Sequence, residues 1–259
     1  MGNAPGIDRR ALIGRAAGAA GTLLLGGCDR LSQTRQAKNV LAGAERLTAR
    51  VQHLVTGDAA LAREYTEADL SPDFKGNGTI EPDDDGYQEL AGKGFAGWRL
   101  EVGGLVERPT GLLLDELRAL PSRTQITRHD CVEGWSCIGK WQGAVLGGLL
   151  RQVGLRPEAR YLVFYCADPM DLGNPESKYY ESIDIREASH PQTILAYAMN
   201  DKVLDMRHGA PLRLRVERQL GYKMAKYVMR IEAVESFASI RGGNGGYWED
   251  RGYAWYAGI

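Results

Sequence analysis

One cysteine, Cys131, stands within a charged and polar stretch at positions 128–136. Arg128 and His129 precede it and Lys140 follows it. Cationic side chains and backbone N–H groups lower the pKa of a thiol, so this setting favours a thiolate in a polar pocket. Arg128, His129 and Lys140 are also candidate positive groups for a polar or anionic substrate, the alternative being ordinary surface charge.

A second group of basic residues lies in the C-terminal half, at positions 208–213 and 221–226. A phosphate group calls for an arginine that donates two hydrogen bonds, a lysine, and backbone N–H groups in a turn. Arg213 and Lys226 are the candidates for such a site, with Met224 and Ala225 supplying main chain. The spacing alone allows an alternative without a phosphate site. In that alternative Arg213 and Lys226 would lie on the solvated faces of strands and His208 would lie in a plain turn.

Both segments resemble one family. Cys-Val-Glu-Gly-Trp-Ser at 131–136 resembles the molybdenum-ligand segment of sulfite-oxidase-type molybdopterin oxidoreductases, nearest to the branch of exported methionine-sulfoxide reductase catalytic subunits. Residues 208–226 resemble the pterin-anchoring region, and the resemblance covers about residues 64–234. It implies an α+β molybdopterin-binding domain with mixed, coiled sheets and short helices. It also implies a molybdenum cofactor (Mo-molybdopterin) held by one pterin dithiolene, oxo groups and Cys131 as the metal ligand.

The resemblance assigns further residues to this cofactor. It implies phosphate contacts for Arg213 and Lys226, main-chain contacts for Met224 and Ala225, and a pterin-edge contact for His208. Asn77 matches a pterin-contacting asparagine near the start of the domain, although a plain turn asparagine is an equal alternative. Cys166 stands where the exported reductases carry threonine, so a contact there would run through its main chain.

The spacing of cysteine and histidine residues bears on three alternatives to a molybdenum site: a disulfide, a zinc site and covalently bound haem. Without Cys28, the chain has Cys131, Cys137 and Cys166, which cannot all pair within one chain. A Cys131–Cys137 disulfide, or a merely buried thiol, is therefore the structural alternative. A zinc site built on His129 and the cysteines has no supporting C-x-x-C or H-E-x-x-H spacing, and the absence of C-x-x-C-H removes covalent c-type haem.

The resemblance implies a two-electron oxygen-atom transfer on a small sulfur oxyanion or S-oxide. Arg128, His129 and Lys140 would contact this substrate. A separate cytochrome of b or c type would exchange electrons with the enzyme, since no haem-binding module is visible. The alternatives are the sulfite dehydrogenase direction of the same chemistry, or a metal-free periplasmic lipoprotein that binds a ligand. In that last case Cys131 would be disulfide-bonded, and Arg213 and Lys226 would lie on different surfaces.

The N-terminus predicts an export signal. Arg9 and Arg10 precede a short Ala/Gly/Leu run that ends at Cys28, which is typical of a twin-arginine signal over residues 1–28. Leu-Gly-Gly-Cys also resembles a lipoprotein cleavage site, which would attach lipid at Cys28. We expect export to the periplasm, with a helical spacer at 29–63 and one molybdopterin-binding domain at 64–259. That domain ends in a glycine-rich, aromatic tail.

Composition and periodicity place these residues on short elements. The net charge of −1 gives no general attraction to nucleic acid, and 33 glycines favour a turn-rich, mixed fold over a helical bundle. Apolar periodicity predicts helices at 29–57, 112–120, 144–153 and 182–188. Alternation and apolar runs predict strands at 98–102, 124–127, 161–166 and 227–234, a hairpin at 194–204 and a half-buried strand at 212–217. The acidic, turn-rich stretch 66–94 predicts solvated loops.

Overall fold

A computed structural model of the chain describes residues 34–57, 59–171 and 173–259. The chain divides into two compact units, Met1–Gln52 and His53–Ile259. Helix α1 (Arg35–Thr56) ends before Gly57, which has a φ of 73° and stops the helix where the sequence predicts. The predicted signal with Cys28 lies outside the described residues.

The apolar stripe of α1 does not pack as its periodicity predicts. Leu47, Leu54 and Val55 are exposed, Leu54 by 84%. The assignment of 29–63 as a helical spacer stays a prediction. None of the described helices combines the length and apolar character that a membrane span requires.

The larger unit is built from short strands and short helices. In the described residues its strands are β1 (Arg99–Gly104), β2 (Thr110–Leu113), β3 (Ser122–Asp130), β4 (Ser136–Val145), β5 (Tyr161–Pro169), β6 (Lys178–Asp184), β7 (Ile194–Met199), β8 (Lys202–Val203), β9 (Arg213–Arg215) and β10 (Val228–Val234). Its helices are α2 (Asp85–Gly92), α3 (Leu114–Arg118), α4 (Leu146–Val153) and α5 (Ile185–Ser189), and short 3-10 turns include Gly221–Lys223 and Glu249–Arg251.

The strands form two sheets, one mixed and one antiparallel. One has the order β2-β1-β10-β5-β6, and the other has the order β3-β4-β7-β8 with β9 paired to β7. Only the β1–β10 pair is parallel among the described pairs, so the sheets are largely antiparallel. A single large apolar cluster joins residues of both sheets, among them Leu100, Phe164 and Leu214, and packs against α4 through Leu149. The α+β assignment is confirmed.

Several predicted boundaries change because pairing across the sheet outweighs local periodicity. The stretch 112–120 divides into β2 and α3, 144–153 begins as the end of β4, and 182–188 divides into β6 and α5. Part of the predicted acidic loop is helix α2, which Asp84 caps by accepting a hydrogen bond from Tyr87 N at 2.8 Å. The predicted hairpin is confirmed: Asn200 and Asp201, at φ 49° and 62°, turn β7 into β8.

Strand β9 is the largest departure from the sequence pattern. Alternation predicts one polar, solvated face, yet Arg213 and Arg215 are as fully buried as Leu214. Both guanidinium groups lie over the ring of Trp141, at 5.2 and 4.4 Å from its centroid. The charged face of this strand therefore lines the interior of the domain.

Two adjacent glycines at the end of β1 provide a matched stability test. Gly104 has a φ of 78° and pairs with Ala233, whose backbone a Cβ at position 104 would overlap, whereas nothing lies within 4 Å of a Cβ at Gly103. We expect Gly104→Ala to lower the free energy of unfolding by about 2–3 kcal/mol, because alanine is strained at this φ and clashes with the parallel neighbour. Gly103→Ala should change it by less than about 1 kcal/mol.

Urea denaturation of both variants checks this expectation. Equal midpoints for Gly103→Ala and Gly104→Ala would show that β1 does not approach β10 as closely as described.

Candidate functional site

Cys131 lies in the turn of the β3–β4 hairpin. The ladder ends at the pair Asp130–Ser136, and Cys131 N then donates to Trp135 O at 2.9 Å while Gly134 N donates to Cys131 O at 3.0 Å. Gly134 supplies the positive φ, 85°, that this turn requires. The hairpin thus holds a half-buried thiol in a fixed turn. Cys131, Cys137 and Cys166 all carry free thiols, so the disulfide alternative is not observed.

A cavity of about 140 Å³ opens beside this turn. Its walls come from segment 77–79, the hairpin turn, the end of β5, the Gly221–Lys223 turn and the C-terminal tail. The lining residues are Asn77, Gly78, Thr79, Cys131, Val132, Glu133, Asp168, Met170, Tyr179, Gly221, Tyr222, Met224, Lys226, Trp248 and Tyr253. Four of the predicted site residues, Asn77, Cys131, Met224 and Lys226, therefore share one cavity.

The protonation of Cys131 differs from the sequence expectation. Burial raises the pKa of its thiol, and the charge of Glu133 raises it further. The backbone N–H of Glu133 and the cations Lys75 and Arg213 act in the opposite direction without reversing the shift. The expected thiolate is corrected for the chain alone, because desolvation outweighs the nearby positive charge. Coordination to a metal ion would still deprotonate this thiol outright.

Arg213 lies behind the cavity wall as a buried cation. Its guanidinium is 1% exposed and reaches His208 O at 3.2 Å and Asn77 Oδ1 at 3.5 Å, while its Nε has no hydrogen-bond partner in the described residues. Burial, then the charge of Arg215, lowers its pKa to about 9. No carboxylate in the described part of the chain lies within ion-pair distance of Arg213, whereas Arg215 is paired with Glu217 at 2.6 Å.

Lys226 fixes segment 77–79 beside this cation. Its Nζ donates to Asn77 O at 2.7 Å and also to Thr79 O. Burial, and then the charge of Arg213, lowers the pKa of Lys226 to about 7. Asp168 faces the same part of the cavity; burial raises the pKa of its carboxyl to about 7, and its Oδ1 has no partner among described side chains.

His129 and Arg128 point to opposite sides of β3, as neighbouring strand residues must. His129 is fully buried beside Met224, with Nδ1 at 3.1 Å from Arg215 Nη1. Burial and the cations Arg213, Arg215 and Lys226 lower its pKa well below the ordinary value, so His129 is neutral and its predicted positive charge is wrong. Its Nε2 is buried without a partner in the described structure.

Arg128 and Lys140 lie away from the cavity. Arg128 pairs with Asp130 at 2.9 Å and lines a second, separate depression of the surface. Lys140 pairs with Glu67 at 2.6 Å and Asp201 at 2.9 Å. The predicted substrate contact of both residues stays a prediction, and each cation is paired with carboxylates outside the cavity lining.

The other predicted cofactor residues surround the lining. His208 holds the 74–79 segment, with Nε2 at 2.9 Å from Phe74 O and Nδ1 at 2.6 Å from Asp205 Oδ1, so both its ring nitrogens are engaged within the protein. Ala225 O accepts from Leu214 N at 2.8 Å, and Cys166 is buried on β5 outside the lining. The cofactor contacts of His208, Ala225 and Cys166 remain predictions.

Sequence reasoning missed residues that come from distant parts of the chain. Asp168, Tyr179, Tyr222, Trp248 and Tyr253 line the cavity, and Asp168 ends a strand whose apolar run was the stronger signal. The aromatic tail enters through backbone pairing, Tyr247 N to Tyr180 O at 2.9 Å, and its glycine and aromatic composition was the available signal. Among the described residues no cluster of three or more His, Cys, Asp or Glu could hold a metal ion, so the zinc alternative is not supported.

Comparison with known proteins gives a consistent result. Residues 90–239 match the family model of the oxidoreductase molybdopterin binding domain. The chain is 38% identical over 250 residues, 96% of its length, to a protein of Azospira oryzae described as a protein-methionine-sulfoxide reductase subunit, YedZ1, and covers 87% of that protein. It is 39% identical over 145 residues to the protein-methionine-sulfoxide reductase catalytic subunit MsrP of Xanthomonas axonopodis pv. citri, covering 53% of this chain and 45% of that one.

Among solved structures, the chain resembles the sulfane dehydrogenase SoxCD from Paracoccus pantotrophus. The TM-score is 0.50 at 24% sequence identity, over 56% of this chain and 40% of that one. At this identity the likeness concerns the fold, and it agrees with the sheets described above.

Two lysines that the sequence analysis predicts as site residues, Lys226 and Lys140, allow a test of what holds the cavity wall at 74–79. We expect Lys226→Met to accelerate amide hydrogen exchange in segment 74–79 by about 30-fold, because charge-assisted bonds to two carbonyls, together about 2 kcal/mol, are lost. Lys140→Met, whose lysine bonds only Glu67 and Asp201 among described carboxylates, should leave exchange in that segment unchanged. Mass-spectrometric exchange of both variants checks this, and equal protection would show that Lys226 does not hold the cavity wall.

Proposed function

The chain belongs to the oxidoreductase molybdopterin binding domain family, and from this premise we propose that it is an S-oxide reductase acting on methionine sulfoxide or a related thioether S-oxide. The family assignment makes it a molybdopterin-dependent oxidoreductase. The name of the relative MsrP supports the S-oxide substrate class. The aromatic residues at the mouth of the cavity favour this class over sulfite.

The residues of the cavity fit the implied molybdenum cofactor. The buried guanidinium of Arg213 lacks a counter-ion in the described structure, and leaving a buried charge unpaired costs roughly 3–5 kcal/mol, which an anionic ligand would offset. Cys131 offers a free thiol in the same cavity, a soft ligand of the kind that molybdenum dithiolene centres accept. A metal-free binding module would instead have its cysteine paired and its basic residues apart.

We assign the parts of the cofactor to residues as follows. Cys131 would be the metal ligand, and Arg213 and Lys226 would bind the phosphate. Asn77 and the main chain at Met224 would contact the pterin. Once bound, the cofactor supplies a two-electron redox centre that exchanges an oxygen atom with the substrate.

The protein's own contribution at the cavity mouth favours a neutral substrate. Tyr222, Trp248 and Tyr253 line the cavity, with Trp248 and Tyr253 stacked at 5.3 Å and Tyr222 edge-on to Tyr253 at 5.3 Å. Aromatic rings make favourable contacts with thioether sulfur, whereas sulfite, an anion, would be recognised by unpaired cations. Arg128 and Lys140 are paired outside the cavity. This aromatic mouth is the observation that carries the S-oxide proposal over the sulfite dehydrogenase alternative.

The cellular setting follows as part of the same proposal. The twin-arginine motif supports export to the periplasm, with Cys28 as the candidate site of a lipid anchor. Electrons would reach the enzyme from a separate cytochrome of b or c type. The description of the Azospira oryzae relative as one subunit of a reductase supports such a partner.

Metal analysis of the chain produced in a molybdopterin-competent host tests the cofactor assignment. We expect the protein to retain molybdenum and Cys131→Ala to lose S-oxide reduction to background, with the fold preserved because a half-buried thiol contributes little to the core. Cys137→Ala is the matched control and should keep both, since its sulfur contacts only Asp73 O, at 3.8 Å, among described polar atoms. Turnover retained by Cys131→Ala would remove that thiol from its assigned role.

A comparison of substrates tests the reaction. Holoenzyme supplied with a chemical electron donor should reduce methionine sulfoxide in peptides and dimethyl sulfoxide, with kcat/KM at least about tenfold above that for sulfite oxidation with an artificial acceptor. Preference for sulfite would reverse the proposal in favour of the dehydrogenase direction.

A further inference from the structure

Three ionisable side chains form a fully buried cluster behind the cavity. Glu181 comes from β6, Lys223 from the Gly221–Lys223 turn and Glu249 from the C-terminal tail. Lys223 Nζ lies 2.5 Å from Glu181 Oε1 and 2.6 Å from Glu249 Oε1, and the three side chains are 0–1% exposed. None of these residues is assigned a role by the proposed function.

The cluster has one carboxylate more than its cation can neutralise. The backbone at Gly246 packs directly against the cluster, because a Cβ at that position would overlap the Glu249 carboxylate and lie 2.8 Å from Glu181 Oε1. Burial, supported by the charge of Glu249, raises the pKa of Glu181 well above its ordinary value. A proton therefore remains in the cluster at neutral pH, giving one ammonium, one carboxylate and one carboxylic acid.

The hydrogen bonds locate this proton. Glu181 Oε1 already accepts from Lys223 Nζ and from Ser182 N at 2.8 Å, which leaves Oε2 to carry the hydrogen. That Oε2 lies 3.3 Å from the hydroxyl oxygen of Tyr179. A proton on Glu249 Oε2 would instead have no acceptor among the described residues.

Tyr179 connects Glu181 to the cavity. Its one hydroxyl hydrogen points to Tyr222 O, with which it makes a short hydrogen bond, so its oxygen is free to accept from Glu181. Tyr179 itself lines the cavity. The ionisable groups that act on this pair are Lys223, Glu249, Cys166 and Asp168, from three different elements.

We propose that Glu181 stores a proton and supplies it through Tyr179 to the oxygen atom that is removed from the substrate in the cavity. This role rests on the proposed S-oxide reduction. There the S–O bond breaks and two O–H bonds form, so that one S-oxide, two electrons and two protons give one thioether and one water. The electrons come from the cytochrome-type donor. Tyr179 turns its hydroxyl hydrogen from Tyr222 O to the substrate oxygen and takes the proton of Glu181 Oε2 in its place, while the second proton comes from solvent at the cavity mouth. Solvent then returns a proton to Glu181 through Tyr179 before the next turnover.

Glu181 touches neither substrate nor cofactor in this scheme, and it acts through Tyr179 as a positioning residue. Glu181→Gln keeps the size of the side chain and leaves Lys223 paired with Glu249, so the cluster stays neutral and folded. We expect kcat to fall about 100-fold with KM unchanged, which is at the low end of proton-transfer contributions. Tyr179→Phe, which keeps the acid and breaks the connection, should cause a similar loss.

The pH profile separates this role from a structural one. Wild-type kcat should stay level through neutral pH while Glu181 holds its proton, and fall once the pH passes the raised pKa of Glu181. In Glu181→Gln both protons must come from solvent, so the rate should fall about tenfold per pH unit across the whole range. The matched control is Glu187→Gln, another buried carboxylate, which pairs with Arg218 at 2.5 Å outside the cavity and should keep the wild-type profile.

Infrared spectroscopy of the resting holoenzyme gives a readout independent of turnover. The wild-type and Tyr179→Phe proteins should show at neutral pH a C=O band of a protonated carboxylic acid that Glu181→Gln lacks. Asp168, whose pKa is about 7, contributes a band of its own, which Asp168→Asn identifies and separates from that of Glu181. Absence of this band from the wild type overturns the inference whatever the activity. The inference is also overturned if the band is present but Glu181→Gln and Tyr179→Phe keep the wild-type rates and pH profiles. Failure of the wild type to reduce any S-oxide would contradict the proposed function instead, and the band distinguishes the two cases.

Discussion

The charge of Arg213, which has no carboxylate partner among the described residues, is the constraint on which the site depends. Strand β9 carries two arginines into the interior, and in the described part of the chain only Arg215 has a carboxylate partner, Glu217. Burial of the second cation is unfavourable unless an anion joins it. An anionic ligand bound next to the free thiol of Cys131 would offset this cost, and Lys226 provides a second basic group at the same wall.

The fold brings these groups together from separate elements. The β3–β4 hairpin presents Cys131, and the chain after β9 presents Lys226. Segment 74–79 lies beside both and is held by hydrogen bonds from Lys226 to Asn77 O and from His208 to Phe74 O. Glycine is required where the backbone approaches a functional ring: a Cβ at Gly221 would overlap His129, which itself packs against Met224. The tail then completes the mouth with Trp248 and Tyr253 and places Glu249 in the buried acid cluster.

Sequence alone could predict the local parts of this arrangement. The hairpin at Asn200 and Asp201, the end of α1 and the α+β class follow from turn chemistry and periodicity, and the resemblance nominated Cys131, Arg213 and Lys226. The burial of Arg213 and Arg215 could not be predicted. The alternation of charged and apolar residues on β9 is the same whether the charged face contacts water or Trp141. The same limitation applies to Arg128 and Lys140, whose ion pairs with Asp130, Glu67 and Asp201 are seen only in the folded structure. Asp168, Tyr179 and the aromatic tail join the cavity by long-range packing, which no local pattern records.

The central claim is that one sulfur of this chain, on Cys131, binds molybdenum while distant basic residues hold the rest of the cofactor. Molybdenum K-edge X-ray absorption of the holoenzyme tests it most directly, by counting sulfur ligands in the wild type and in Cys131→Ser. The account predicts the two dithiolene sulfurs plus a third in the wild type, and loss of that third sulfur in the variant. An unchanged sulfur count, or a wild-type centre without a third sulfur, would contradict it.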